Sequence, residues 1–241
     1  MNFLKYESIG NDFIILINAS NISENKITIL CDRHKGVGAD GVLVLSKIKN
    51  QSFSLDIYNA DGSKASMCGN GLKIIGRYLK DNNPSHSFFW VKVENRSYQI
   101  FADKNEVKLY LPLPKKVKLG KHPIYKIGNL HMLVENLKED EHLLLAKLYP
   151  NVNVSSYIVK KNLKKSVFLR TYEVGVGFTL SCGSASLCLF KLLIDNGYKE
   201  QTLEVSTRGG SFLLINKGKW IVLTGTPKFI FKGELNDEIF F

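Results

Sequence analysis

The sequence predicts an α+β protein made of two related halves, each a mostly antiparallel, β-rich layer carrying one helix. Three observations predict it. First, two cysteines share one local setting: Cys68 follows Tyr58 by ten residues and Cys182 follows Tyr172 by ten. Each is followed by Gly, opens an apolar helix-like run, and reaches Asp-Asn thirteen residues on, at Asp81-Asn82 and Asp195-Asn196. Second, each run leads into short β-rich segments. Third, Leu111-Pro-Leu-Pro-Lys-Lys interrupts the chain midway, and two prolines beside charge cannot continue a central strand.

The elements follow in order. Ile9-Gly-Asn-Asp-Phe-Ile-Ile-Leu16 reads as a Gly-Asn turn running into a strand, and Ile127-Gly-Asn-Leu-His-Met-Leu-Val134 echoes it. The first helix presents Leu72, Ile75, Tyr78 and Leu79 at helical spacing; the second presents Leu189, Leu192 and Leu193. After the first come strand patterns at Phe88–Val93, Tyr98–Phe101 and Glu106–Leu111. After the second come Thr202–Ser206, Ser211–Ile215 and Trp220–Leu223. The short polar breaks between them predict hairpins or a meander. Two copies make a pseudo-repeat, not a solenoid. The domains expected are 1–113 and 114–226, with the tail 227–241 placed to pack back on the first, and a site in the cleft between the halves.

The 241 residues suffice for one large or two small cores. No apolar run approaches bilayer length and the N-terminus lacks a secretory layout, so a cytoplasmic protein with no membrane partner is expected. None of Cys31, Cys68, Cys182 and Cys188 forms a C-x-x-C pair, which argues against a structural zinc site. The net charge of +11 raises nucleic acid as a partner. However, the lysines are dispersed, as at Lys115, Lys116, Lys118, Lys121, Lys160, Lys161, Lys164 and Lys165, with no nucleic-acid motif. A solvated basic surface that mildly attracts small anions is the preferred reading.

A thiol at a helix N-terminus feels the positive end of the helix dipole, and its pKa is expected to fall. The first amides of the helix bind anions such as carboxylates. Gly69, Gly71 and Gly183 let a backbone approach a ligand closely. Two such starts facing one another would hold a carboxylate with its α-carbon between two sulfurs. One thiolate removes the α-proton and the other thiol returns one to the opposite face, without pyridoxal phosphate or any other cofactor. Cys31 and Cys188 read as core. Taken alone, each Asn reads as a turn residue, and His131 as a core or surface histidine.

Beyond the duplication, the chain resembles the diaminopimelate epimerase family along nearly its whole length. The resemblance rests on Gly10-Asn-Asp-Phe, Asp32-Arg-His-Lys-Gly-Val-Gly-Ala-Asp-Gly41, Tyr58-Asn-Ala-Asp-Gly-Ser, Met67-Cys-Gly-Asn-Gly71, Gly128-Asn-Leu-His131, Val152-Asn153, Tyr172-Glu173 and Ser181-Cys-Gly-Ser184. It implies two pseudo-symmetric domains, each a β-rich shell around a central helix, and is compatible with a homodimer. It implies that Cys68 and Cys182 are the thiolate/thiol pair, with His131 and Glu173 near them. It implies that Gly69, Asn70, Gly183 and Ser184 hold the reacting carboxylate of a small amino-acid substrate. Asn11, Asn59, Asn129, Asn153 and Glu173 then form the polar ring around the rest.

The departures concern the distal end. Where the family has Glu-Arg-Gly, this chain has Glu173-Val174-Gly175, and Val cannot clamp a carboxylate as Arg does. Phe178, Leu130 and Ala185 also differ from the family pattern, and the chain is shorter than typical. The first expectation is therefore LL-/meso-diaminopimelate epimerisation for lysine biosynthesis. The alternative is racemisation of a free amino acid without a distal carboxylate, such as histidine. A cysteine hydrolase using Cys68 with His131 leaves Cys182 without a role, and a non-catalytic binding module leaves both. If the two thiols face each other, oxidation would join them as a disulfide.

Overall fold

The computed structural model describes residues 1–20, 22–117, 120–159 and 166–236. Of the dispersed lysines, Lys118, Lys160, Lys161, Lys164 and Lys165 lie outside the described residues. The chain forms two compact units, one of Met1–Leu109 with the stretch from Gly225 onward, the other of Tyr110–Thr224.

The first unit runs β1 (Asn2–Ser8), β2 (Asn11–Ile17), α1 (Glu24–Cys31), β3 (Gly41–Lys49), β4 (Ser52–Asn59), α2 (Gly69–Asn82), β5 (Phe88–Val93) and β6 (Arg96–Ala102). β7 (Val107–Pro112) follows at the unit boundary. The second runs β8 (Lys115–Val117), β9 (Ile124–Ile127), β10 (Asn129–Glu135), α3 (Glu139–Leu148), β11 (Asn153–Val159), β12 (Ser166–Glu173), β13 (Gly177–Phe178), α4 (Gly183–Asp195), β14 (Thr202–Thr207), β15 (Gly210–Asn216) and β16 (Trp220–Gly225). Finally β17 (Lys228–Glu234) pairs antiparallel with β1, and Leu235 enters the cluster of Phe3, Ile14, Leu16, Ile27 and Leu30.

The two units share one order of pairings. In the first, β1–β2 is antiparallel, β2–β3 parallel, β3–β4 antiparallel, β4–β5 parallel and β5–β6 antiparallel. In the second, β9–β10, β10–β11, β11–β12, β12–β14 and β14–β15 repeat that sequence. Among the described residues most strand pairs are antiparallel, as the sequence predicts, but each unit also holds two parallel pairs that the sequence reading did not include. A parallel neighbour needs a crossover, and each parallel pair here has its own helix: α1, α2, α3 or α4. The reading from sequence followed only the cysteine helices. Helices α1 and α3 are short and bury little, so their periodicity is weak; the Ser23 cap on α1 was the available signal.

Register aligns the two units residue by residue. Tyr6 pairs with Phe13, Phe13 with Gly41 and Gly41 with Asn59. In the second unit Tyr125 pairs with His131, and His131 with Asn153. Tyr172 lies opposite Val154, so Asn153 and Glu173 close the same end of β11–β12. These rows place Asn59 and Glu173 at equivalent ends of their units, ahead of α2 and α4.

Both cysteine helices are buried on more than one face. Every residue from Gly69 to Gly76 is buried in α2, as are Gly183 and Ala185–Phe190 in α4. Helices of this kind are core helices, held by sheet packing on several sides. Fully burying Leu72, Ile75, Leu187 or Leu189 contributes about 1.5–3 kcal/mol each, as an upper bound. The Asp of each Asp-Asn pair anchors its helix end in the same way. Asp81 bonds Arg77 one turn earlier and Tyr6 of β1. Asp195 bonds Lys191 one turn earlier and accepts from Tyr125 Oη of β9 at 2.7 Å. Burial and the Asp81 charge push Tyr6 up to about 12, so both tyrosines remain neutral donors.

Candidate active site

In the first unit Cys68 is the N-cap of α2, with an extended backbone at φ −141° and ψ 112°. Its Sγ accepts from the Gly71 amide at 3.3 Å, the position a Ser or Asp oxygen takes in an ordinary cap. Gly69 and Asn70 form the first turn, and Asn70 Nδ2 donates to Asn11 Oδ1 at 3.3 Å. Asn11 opens β2 and Asn59 ends β4, where its Nδ2 donates to Ser63 Oγ at 2.9 Å. The first unit thus gathers Cys68, Asn70 and Asn11 at one helix start, with Asn59 at the end of the adjoining strand.

In the second unit Cys182 caps α4 with nearly the same backbone, φ −135° and ψ 106°. Its Sγ lies 3.3 Å from Ser184 Oγ. Glu173 ends β12, and Thr179 Oγ1 donates to its Oε1 at 2.7 Å while the Cys182 thiol is its other hydrogen-bond partner. Asn153 is buried, and its Oδ1 accepts from the Val174 amide at 2.8 Å, which fixes the start of the β12–β13 turn. His131 is fully buried, and among the described residues neither ring nitrogen has a hydrogen-bond partner. Burial pulls its pKa down to about 4, so the ring is a neutral imidazole at pH 7. Asn129 is exposed at the start of β10, two residues before His131, as Asn11 is two residues before Phe13.

The thiols do not both follow the helix-dipole expectation. Burial first, then the Glu173 charge, push the Cys182 thiol well above its ordinary range; the Ser184 hydroxyl and Ala185 amide pull down without prevailing. Desolvation acts on the whole thiolate charge, whereas a helix end offers about half a charge. In this state Cys182 is a thiol. Burial likewise raises the Glu173 carboxyl, opposed by its bonds to Thr179 and Cys182. Cys31, raised to about 11 by burial, and Cys188, raised further by the same cause, are inert core thiols.

Two of the glycines have a packing reason beside any ligand role. A Cβ on Gly71 would meet Leu43 Cδ2 at 3.0 Å, and one on Gly183 would meet Leu223 Cδ2 at 3.2 Å. The distal replacements are equally plain. Val174 is 46% exposed, and Phe178 packs edge-on against Tyr172 and His142 beneath Arg170, whose guanidinium lies 3.7 Å over its ring. Arg170 also bonds Glu139 at 2.9 Å, so it is held away from any clamp role.

Sequence reasoning passed over two features. Lys73 of α2 is fully buried, rare for a lysine; burial pulls its ammonium down to about 7, while the charges of Cys68 and Glu7 hold it up. The Asp32–Gly41 segment forms a charged cluster with Lys5 and Asp12 rather than a plain loop. Among the described residues no group of three or more His, Cys, Asp or Glu side chains gathers as a metal site. No helix among them is long and apolar enough to cross a membrane.

Known proteins match this arrangement. The sequence profile described as diaminopimelate epimerase matches residues 3–115. A diaminopimelate epimerase from Caldanaerobacter subterraneus subsp. tengcongensis is 29% identical, covering 98% of this chain and 99% of that one. Among solved structures, a phenazine biosynthesis protein of the PhzF family from Bacillus anthracis has a TM-score of 0.75 at 14% identity, covering 98% and 99% of the two chains. A probable proline racemase from Agrobacterium radiobacter K84 has a TM-score of 0.73 at 11% identity, covering 98% and 92%. At such identities the solved structures speak to the fold alone. The profile match and the relatives support an isomerase of the epimerase/racemase class. The chain is similar to the diaminopimelate epimerases along nearly its whole length, at modest identity.

Proposed function

We propose that this chain interconverts LL- and meso-diaminopimelate by a two-thiol mechanism. The observation that carries the reading is the repeated cap: Cys68 and Cys182 each stand at the N-cap of a buried helix with matching backbone angles. The first-turn amides of α2 and α4 receive the reacting carboxylate and stabilise the charge that builds on it. A thiolate takes the α-proton, leaving the electron pair on the α-carbon and carboxylate. The opposite thiol gives its proton to the other face, so the substrate inverts and the two sulfurs exchange protonation states. Glu173 beside Cys182 carries the carboxylate that accepts the thiol proton when Cys182 acts as base, and neutral His131 stands on β10, two strands over from Glu173.

The test is incubation with reductant in D2O over diaminopimelate isomers and free amino acids, reading deuterium at the α-carbon. Deuterium entering diaminopimelate, and lost in both Cys68→Ala and Cys182→Ala, is the expected result. Activity retained in Cys182→Ala would replace this reading with a single-nucleophile hydrolase. Absence of exchange into every compound tried would leave a binding module.

One observation favours a second substrate. Val174 stands exposed where the family has an Arg, and Arg170 is engaged by Glu139 and Phe178. A side chain without a distal carboxylate suits that end. Faster exchange into a free amino acid than into diaminopimelate would decide for this substrate.

A further inference from the structure

The Asp32–Gly41 segment has no part in the reaction described above, yet it leads directly to it. Asp32 closes α1, its Oδ1 accepting from the His34 and Lys35 amides at 2.7 and 2.8 Å. Arg33 then forks onto Asp12, with Nη1–Oδ2 at 3.1 Å and Nη2–Oδ1 at 2.7 Å, and reaches Asp40 Oδ1 at 2.8 Å. Buried Lys5 also bonds Asp12 Oδ2, at 2.7 Å. Burial would raise the Asp12 carboxyl, but Arg33 and Lys5 outweigh it and hold it at about 2. With one oxygen of Asp40 fixed by Arg33, the other, Oδ2, accepts from Asn11 Nδ2 at 2.8 Å and from the Asp12 amide at 3.2 Å. A carboxylate only accepts, so it admits one orientation of the Asn11 amide. Asn11 Oδ1 is thereby aimed at Asn70 Nδ2 in the first turn of α2.

The second unit forms the equivalent strands without such a cluster. The strand rows align Phe13 with His131 and Gly41 with Asn153, and so Asp12 with Leu130 and Asp40 with Val152. In the second unit those two positions belong to an apolar cluster with Ile124 and Met132. The same strands therefore pair with apolar residues where the first unit places ions.

We propose that Asp40 is a positioning residue for the reaction, anchored by Arg33 and fixing the Asn11 amide toward the start of the Cys68 helix. This role rests on the assignment of Asn11 and Asn70 to substrate binding above. Asp40→Asn keeps the size but admits both amide orientations, and Arg33 remains forked on Asp12. The expected result is a kcat lower by about tenfold or more, since small misplacements near reacting atoms cost up to about a hundredfold. The melting temperature is expected to stay within about 2 °C of wild type. In an Asn11→Ala background the same change is expected to do nothing further, because the group it positions is gone. Equal losses in both backgrounds, or kcat within about twofold of wild type, overturn the role. Asp40→Ser is the second variant, and unfolding of both makes Asp40 structural and also overturns it. If wild type turns over no diaminopimelate, the substrate assignment fails instead. Asparagine-selective 15N labelling then reads the Asn11 amide directly: side-chain amide resonances that shift or broaden in Asp40→Asn support positioning, and unchanged resonances refute it.

Discussion

The Glu173 carboxyl is a hydrogen-bond partner of the Cys182 thiol, steadied on its other side by the Thr179 hydroxyl at 2.7 Å. Burial makes both groups reluctant to ionise; the Glu173 charge adds to that of the thiol, while the thiol's hydrogen bond eases that of the carboxyl. Replacing Glu173 by Gln removes the charge and keeps the shape. The Cys182 thiol is then expected to ionise at lower pH, and its alkylation profile by iodoacetamide, read by mass spectrometry, to shift to lower pH. Epimerisation is expected to fall by about a hundredfold, the usual loss for a proton-transfer partner. An unmoved alkylation profile would separate Glu173 from the thiol.

His131 makes stability pH-dependent. Its folded pKa of about 4 lies below the ordinary 6.5, so the unfolded chain binds the proton first. Stability contributed by keeping this ring neutral is whole above pH 6.5 and declines as pH falls toward 4. The loss expected from this group is on the order of 3 kcal/mol. Urea midpoints between pH 7 and pH 4 test it, with His131→Gln expected to flatten the decline; parallel curves for the two proteins would assign the acid sensitivity elsewhere.

Gly41 sits between Phe13 and Asn59 in the strand row that ends at the site. A Cβ there would lie 2.3 Å from the Tyr58 carbonyl oxygen and 2.8 Å from the Phe13 ring. Backbone cannot move aside as a flexible side chain can. Gly41→Ala is expected to destabilise by about 1–3 kcal/mol, read from denaturant unfolding, and to displace Asn59. A variant as stable as wild type would show that β3 and β4 can separate at no cost.

Val174 offers the chance to rebuild the distal clamp. Only its backbone is committed, through the bond from its amide to Asn153. Val174→Arg leaves that bond and adds a bidentate carboxylate partner. The KM for diaminopimelate is expected to fall about tenfold, with free monocarboxylic amino acids unaffected. Unchanged steady-state constants would place Val174 away from the substrate.

Much of the fold was legible because it is written twice. The Tyr-x9-Cys-Gly spacing and the closing Asp-Asn pairs located both central helices, and β5, β6, β14, β15 and β16 fall where their alternating patterns predicted. The helix-end role of Asp81 and Asp195 became clear only when Tyr6 and Tyr125, distant in sequence, came to meet them. The parallel pairings were missed because α1 and α3 bury too few side chains to mark themselves as crossovers.

By itself the sequence determined the repeat and the two Cys-Gly helix starts, since spacing and residue type are local properties; the polar residues around them came only with the family resemblance. Tertiary structure decided their chemical states. Burial and Glu173 raised the Cys182 thiol against its helix dipole, and burial held His131 neutral and brought Lys73 down to about 7. It also turned Asp32–Gly41 from an unassigned motif into the ionic cluster that orients Asn11. Desolvation and charge depend on neighbours far along the chain, and only folding supplies those neighbours.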